Sequence, residues 1–375
     1  MPNHVANKVF FECSDEKAKE IMTAVMYDPD PDKEDYTGIG TFDFNKLIPM
    51  PPALMIEAGS STEQGIEIYL TAVNPDTPDN DLPKIPKDEF EKLLRDLNGE
   101  RMYKSFKPCL SAEEIQRYTM YSSFGKLADL GKRAVENMIN YGATTWYEWS
   151  INNWGTKWNS YDPRKGEDNG LMFSTAWSAP HPVIEELSVR FPGVYITHEW
   201  ADEDMGNNCG RREYLNGECV GEYIPTADVE SMEFACSVWG DSPEDYGLFK
   251  SADGTEYVRT DCDSYEVVDL FGKPALFTNE RMSESDIPAG LYVCHVRGDD
   301  LTTGGFAELA PKVLVNHYGS IITKEPIDFG EKGYIAFTEE TDPHFTGESA
   351  TFAEFMKDDF DIGDGEDPGA DMMLM

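Results

Sequence analysis

The chain has 375 residues, and its 71 Asp and Glu against 31 Lys and Arg leave a formal net charge of -40. That balance excludes ordinary phosphate-backbone binding, which needs clustered cations, while 12% aromatic residues exclude a solvated disordered chain. The length fits two domains, and residues 221–375 carry -25 of the charge; a bias imposed by solvent would be more even, so an acidic face built for a partner is expected.

Val5–Cys13 reads as a buried strand, with Ser14 as the cap of a helix that carries Ala18, Ile21, Met22 and Val25 on one face. Thr41-Phe42-Asp43-Phe44 leads into Pro49-Met50-Pro51-Pro52, a rigid extended stop. Residues 56–73 read as a short helix and a strand, and 74–86 as a Pro- and Asp-rich loop. Helical spacing recurs from Lys87 to Leu97 and from Ser111 to Tyr141. Tyr141–Asp162 is aromatic-rich, and packing in the core and in hairpins is the favoured role for its tryptophans. A base-stacking surface would need a basic groove beside them.

Gly170–Trp177 reads as a strand, Pro182 opens a helix that Pro192-Gly193 ends, and Val194–Trp200 is a further strand. Asn216-Gly217 is a two-residue hairpin signal. Two strand–helix–strand halves with a helical insertion predict an α+β fold, ferredoxin-like, over residues 1–224. After Pro225 the texture turns to short polar strands and glycine-marked turns, predicting a small acidic, mostly β domain over 225–355. Its strands are expected at Gly290–Arg297, Lys312–His317, Ile321–Lys324 and Tyr334–Phe337, with a short link at Phe306–Leu309. Residues 356–375 read as an exposed acidic tail.

Several blocks carry a resemblance: Pro2-Asn3-His4-Val5-Ala6-Asn7, Phe42-Asp43-Phe44-Asn45-Lys46-Leu47-Ile48-Pro49, Asn153-Trp154-Gly155-Thr156-Lys157-Trp158-Asn159, Thr175-Ala176-Trp177-Ser178-Ala179-Pro180 and Trp200-Ala201-Asp202-Glu203-Asp204. Together they resemble the YubB-like family of plasmids, phages and integrative elements, which implies a ferredoxin-like domain and a mobile-element setting but no activity. Gly290–Arg297 and Val313–Gly319 are similar to a small domain of large polyvalent proteins. That resemblance implies proteins carried into a recipient cell with incoming DNA, where they blunt host defence.

Three constellations invite a chemical reading. His198, Glu199, Asp202, Glu203 and Asp204 offer an imidazole and four carboxylates to a hard cation, yet without EF-hand spacing. Cys209 and Cys219 flank the hairpin, but zinc sites usually include one close Cys pair and none of the seven cysteines supplies it. His295, His317 and Asp299-Asp300 lack an evident nucleophile. No phosphate loop, hydrolase elbow or cofactor motif is present. The scattered thiols, the lack of an apolar run of the roughly 18–20 residues a span needs, and the lack of a leader at Met1–His4 predict a cytoplasmic protein with no membrane partner.

The expected function is therefore non-enzymatic: an acidic, anti-CRISPR-like inhibitor that occupies the basic nucleic-acid groove of a CRISPR effector or other defence nuclease without itself binding nucleic acid. Partner contacts are expected from Asp202, Glu203, Asp204, Asp299, Asp300, Asp358, Asp359, Asp361, Asp364, Glu366 and Asp367. The alternatives are an accessory protein of conjugation or replication, and a metal-dependent hydrolase using the loop after Trp200.

Overall fold

A computed structural model describes residues 3–27, 40–76, 84–99, 106, 124–166, 170–270, 272–297, 318–326 and 344–362. The chain divides into two compact units: Met1–Asp204 with Gly210–Ile224, and Met205–Cys209 with Pro225–Met375.

Unit 1 opens with β1 (His4–Glu12) and α1 (Asp15–Val25), whose cap is Ser14 accepting from the Lys17 N–H. Its two short strands, β2 (Met26–Tyr27) and β3 (Thr41–Phe42), pair with each other. The insertion is helical: α2 (Ser60–Val73), α3 (Lys87–Asn98) and α4 (Phe124–Tyr141), followed by α5 (Trp146–Trp154). Then come β4 (Tyr161–Lys165), β5 (Leu171–Ala176), α6 (His181–Arg190), β6 (Tyr195–Asp202), and the hairpin β7 (Cys209–Leu215) and β8 (Glu218–Tyr223). The sheet order is β4-β5-β1-β6-β7-β8, with β1 antiparallel to both β5 and β6. Asn216 and Gly217 take φ of 54° and 83°, the paired positive angles of a tight hairpin turn.

Strand alternation explains the layering. Val9 and Phe11 of β1, Leu171 and Phe173 of β5 and Ile196 of β6 share one face with Ile21 and Val25 of α1 and Val183, Ile184 and Leu187 of α6. Phe42 and Phe44 are wholly buried there and meet Phe173 edge-on at 5.1 and 6.1 Å between ring centroids. Each such ring contributes on the order of 1.5–3 kcal/mol by leaving water. The opposite face, with Lys8, Phe10, Met172, Thr197 and Glu199, is partly exposed.

Residues 60–73 form one helix where a helix and a strand were expected. The interior Gly65 explains it: it is the point at which α4 crosses α2, with Gly131 facing it so closely that neither position has room for a Cβ. Of the helix expected over Ser111–Tyr141, the part before Phe124 lies outside the described residues.

Unit 2 begins with α7 (Asp228–Trp239), whose second half falls where short polar strands and turns are expected. Ala227 offers no side-chain cap, and the buried positions Ser231, Ala235, Cys236 and Val238 are small, so little in the sequence marks this helix. A two-stranded piece follows, β9 (Leu248–Lys250) with β10 (Tyr257–Arg259). The main sheet takes β11 (Tyr265–Leu270), β12 (Lys273–Thr278), β13 (Tyr292–Arg297), β14 (Tyr318–Thr323) and β15 (His344–Ala350) in the antiparallel order β13-β14-β12-β11-β15. β15 was not foreseen, since its polar sequence carries Gly347 at φ 80°. The expected strands at Lys312–His317 and Tyr334–Phe337, and the link at Phe306–Leu309, lie outside the described residues. A single turn, α8 (Phe352–Phe355), seats Phe352 and Phe355 on Val267, Leu276, Ile287 and Ile322. The chain does not leave the unit at residue 356: Met356 and Phe360 pack on the same core, Phe360 edge-on to Phe355 at 5.2 Å.

Candidate functional site

The blocks that carry the family resemblance turn out to be joints of unit 1. Trp154 Nε1 donates to the Ile48 carbonyl at 2.9 Å, Asn159 Nδ2 to Asp43 Oδ1 at 2.8 Å, and Ser160 Oγ to the Phe42 carbonyl at 2.6 Å. Gly155, at φ 79°, closes α5, and a Cβ there would meet Pro182 Cδ at 2.8 Å. Asn7, buried under the sheet, donates to the Val5 carbonyl and Thr175 Oγ1, both at 2.9 Å, and its Oδ1 lies 3.0 Å from His198 Nε2.

His198 is therefore a core residue. On β6 it shares the inward face with Ile196 and Trp200, while Glu199 points the other way. His181 stacks edge-on with it at 5.4 Å and with Trp200 at 4.5 Å. Burial, then the Arg212 guanidinium, pushes the His181 imidazole down to about 4; burial, then His181 and Arg212, holds His198 well below its ordinary range.

The acidic loop after Trp200 is split by the same alternation. Asp202, expected on a binding surface, is turned inward at 5% exposure and accepts from Asn3 Nδ2 at 3.2 Å and the Asp204 N–H at 3.0 Å. Glu203 and Asp204 are exposed. Among the described residues no three His, Cys, Asp or Glu side chains gather as a metal-holding group. Cys209 is buried, its thiol 3.7 Å from the Ser231 carbonyl, whereas Cys219 is exposed. His295 is half-buried on β13 and lowered by burial and Arg281.

Unit 2 presents the acidic surface. Asp358, Asp359 and Asp361 are exposed after α8; Asp299, Asp300, Asp364, Glu366 and Asp367 lie outside the described residues. A group not foreseen is Asp241, Glu244 and Asp245, all exposed at the end of α7. Burial first, and then these carboxylates, push the Cys236 thiol up, and Tyr246 donates its hydroxyl to Asp241 Oδ2 at 2.7 Å. Asp263, Glu280 and Asp286 add to burial in pushing Tyr265 up to about 12. The nearby cations are few, and Lys250 and Lys273 are paired with Glu233 and Glu325.

Unit 1 contains a cleft of about 980 Å³. Among the described residues its walls are Gly59, Thr62 and Glu63 at the start of α2, Met138 and Gly142 at the end of α4, and Thr145 to Glu148, Ile151 and Asn152 of α5, with Lys157 and Trp158 at the rim. The start of α5 is fixed by a capping box, Glu148 Oε2 accepting from the Thr145 N–H at 3.1 Å and from its hydroxyl at 2.6 Å. The rim is fixed by Thr156 Oγ1 donating to the Ala176 carbonyl and Ser150 Oγ to the Lys157 carbonyl, each at 2.8 Å. The tryptophans thus divide: Trp149 and Trp154 are core, as expected, while Trp158 and Tyr147 stand 37% and 39% exposed. A helical reading of 146–154 would have marked part of this surface, since Tyr147 and Ile151 fall on the face opposite the buried Trp149.

Two family models match parts of the chain: a ferredoxin-like domain in Api92-like protein over residues 153–241, and large polyvalent protein associated domain 28 over residues 261–357. No curated protein matches. Among solved structures, the crystal structure of a protein Api92 from Yersinia pseudotuberculosis aligns at 13% identity, covering 60% of this chain and 99% of that one, with a TM-score of 0.27. The ferredoxin-like match is thus to an Api92-like domain, where the sequence blocks had pointed to the YubB-like family. The chain is an α+β protein with a ferredoxin-like domain, followed by a smaller, mostly β region that matches a domain associated with large polyvalent proteins.

Proposed function

We propose that this protein is a non-enzymatic inhibitor from a mobile genetic element, akin to the YubB-like family, that occupies the basic nucleic-acid groove of a bacterial defence nuclease such as a CRISPR effector. The observation that carries the reading is the net charge of -40. On unit 2 the carboxylates of Asp241, Glu244, Asp245, Asp263, Glu280, Asp286, Asp358, Asp359 and Asp361 are exposed. Carboxylates held on a scaffold imitate the phosphates that such a groove recognises and compete for the same Lys and Arg, giving fast, salt-sensitive association. The polyvalent-protein match supports the mobile-element setting. The competing reading is an accessory protein of conjugation or replication, for which the partly exposed face of the unit 1 sheet would be the contact.

The experiment is capture of purified CRISPR effectors and restriction nucleases by the full chain at low and high salt, with guide or target nucleic acid as competitor. Binding that weakens with salt and is displaced by nucleic acid supports groove occupation. Binding insensitive to both supports the accessory reading instead.

A further inference from the structure

We propose that Tyr147 and Trp158, at the rim of the unit 1 cleft, form a clamp for an arginine side chain of a basic protein partner, at the place Lys157 fills in the free protein. The partner's basic character rests on the reading above; the clamp itself rests on geometry. Lys157 Nζ lies 4.8 Å from the centroid of the Trp158 ring and 5.6 Å from that of Tyr147, so two aromatic faces already hold a cation between them. Among the described residues Lys157 has ring contacts and no ion pair, and both rings are open to solvent.

A guanidinium suits this place better than an ammonium. It is planar, stacks on aromatic faces and is more weakly hydrated, whereas the displaced lysine regains a strong hydration shell. Glu63 and Glu148 on the cleft wall add a field that favours cations and repels phosphates, which argues against a nucleic-acid strand stacking its bases here. A second observation lies close by. The Lys157 N–H donates to the Ala176 carbonyl at 3.5 Å, and the next residue, Trp177, is 55% exposed at φ 75°. A bulky residue takes that left-handed conformation rarely, and such strain collects at ligand clamps and other functional sites. Exposed tryptophan and tyrosine are also the residues that most often dominate protein interfaces.

The test uses the full chain and labelled octa-arginine, octa-lysine and oligo-dT, followed by fluorescence anisotropy at about 0.05 M and about 0.5 M salt, the latter screening long-range charge. Octa-arginine should bind tightest. At high salt, Trp158→Ala and Tyr147→Ala should each lose about threefold to thirtyfold in affinity, the span of a cation–π contact. Lys157→Gln should bind octa-arginine more tightly than the wild type, and Lys165→Gln, an equal charge change on exposed β4, should not. Trp158→Leu and Tyr147→Leu, checked by circular dichroism, replace any alanine variant that fails to fold. The clamp is refuted if folded variants of both rings bind octa-arginine as the wild type does, if Lys157→Gln and Lys165→Gln behave alike, or if oligo-dT binds best. Failure of groove occupation would appear separately, as loss of nucleic-acid competition at the nuclease with the high-salt ring effect intact.

Discussion

The crossing of α2 and α4 gives the sharpest test of the architecture. At Gly131 a Cβ would fall onto the carbonyl of Gly65 and lie 2.6 Å from the Ile66 nitrogen; at Gly65 it would meet the Leu127 carbonyl and lie 2.9 Å from the Gly131 nitrogen. These are backbone atoms, so no rotamer relieves the clash and the helices must part. Behind the crossing sit Ile66, Leu70 and Val73 of α2, Ala134 and Val135 of α4, and Phe90, Leu93 and Leu97 of α3. Overpacking of this kind costs about 1–3 kcal/mol or more, against a helix-propensity gain near 1 kcal/mol for replacing glycine by alanine. With backbone on both sides of the contact the upper end applies, and the net expectation for Gly131→Ala is a loss of about 2 kcal/mol.

Urea unfolding of the full chain, read by tryptophan fluorescence, measures it. With a slope of roughly 1–3 kcal/mol per molar urea, the unit 1 midpoint should fall by about 1 M. Gly142→Ala is the control: its φ is 73° but open space surrounds it, so only the backbone term of about 1 kcal/mol applies. The double variant Gly65→Ala with Gly131→Ala should cost less than the sum, because one substitution already separates the helices. A stability for Gly131→Ala equal to or above the wild type would refute backbone contact at the crossing. Since the start of α2 and the end of α4 also wall the cleft, the same variant should weaken octa-arginine binding.

Stability of unit 1 should fall as pH drops from about 6.5 to about 4: His181 and His198 are held neutral when folded, so the unfolded chain takes up protons first. The share of His181 in that loss is on the order of 3 kcal/mol, thermal melts across that range detect it, and His181→Gln should flatten the slope. Glu233, Asp245 and Glu354 are held below the usual carboxylate range, by Lys250, by Ser242 and by Thr351 respectively, so their stabilisation is lost only in more acidic solution. Trp154→Ala should cost about 3–5 kcal/mol, since the ring is buried against Phe44 and Trp149; calorimetry would contradict this if the midpoint barely moved. Reversal of Asp358, Asp359 and Asp361 together to Lys should slow association with a captured nuclease and leave dissociation nearly unchanged, as stopped-flow mixing would show.

What could be read from the sequence followed from local rules with a single answer. Ser14 caps α1, Asn216-Gly217 turns the hairpin, and Pro182 opens α6 because few other conformations suit those residues. α7 escaped because a helix that buries small residues and lacks a cap carries little signal, and α2 because Gly65 looks like a breaker until Gly131 lies against it. Asp202 was misplaced for a different reason: in a run of carboxylates only the register of β6 tells which one turns inward. The cleft was hidden for the same kind of cause. Trp149 and Trp158 are alike in sequence, and the α5 register and the Gly155 turn decide which is core and which is rim.

The acidity and the aromatic rim answer different physical demands. Charges exposed on unit 2 act over a Debye length of about 8 Å at physiological salt and gather a basic partner quickly, but each exposed pair is worth only about 0–1 kcal/mol. Charge alone therefore gives rapid but loose capture of many basic surfaces. Selectivity needs contacts that work at short range and survive salt. On unit 1 the rigid, half-exposed rings of Tyr147 and Trp158 have that property, since a stacked cation loses little when ions are added. If both features serve one partner, carboxylate reversals should change the salt dependence of association and ring truncations should change residence time. A variant that combines both changes would show whether the two effects add.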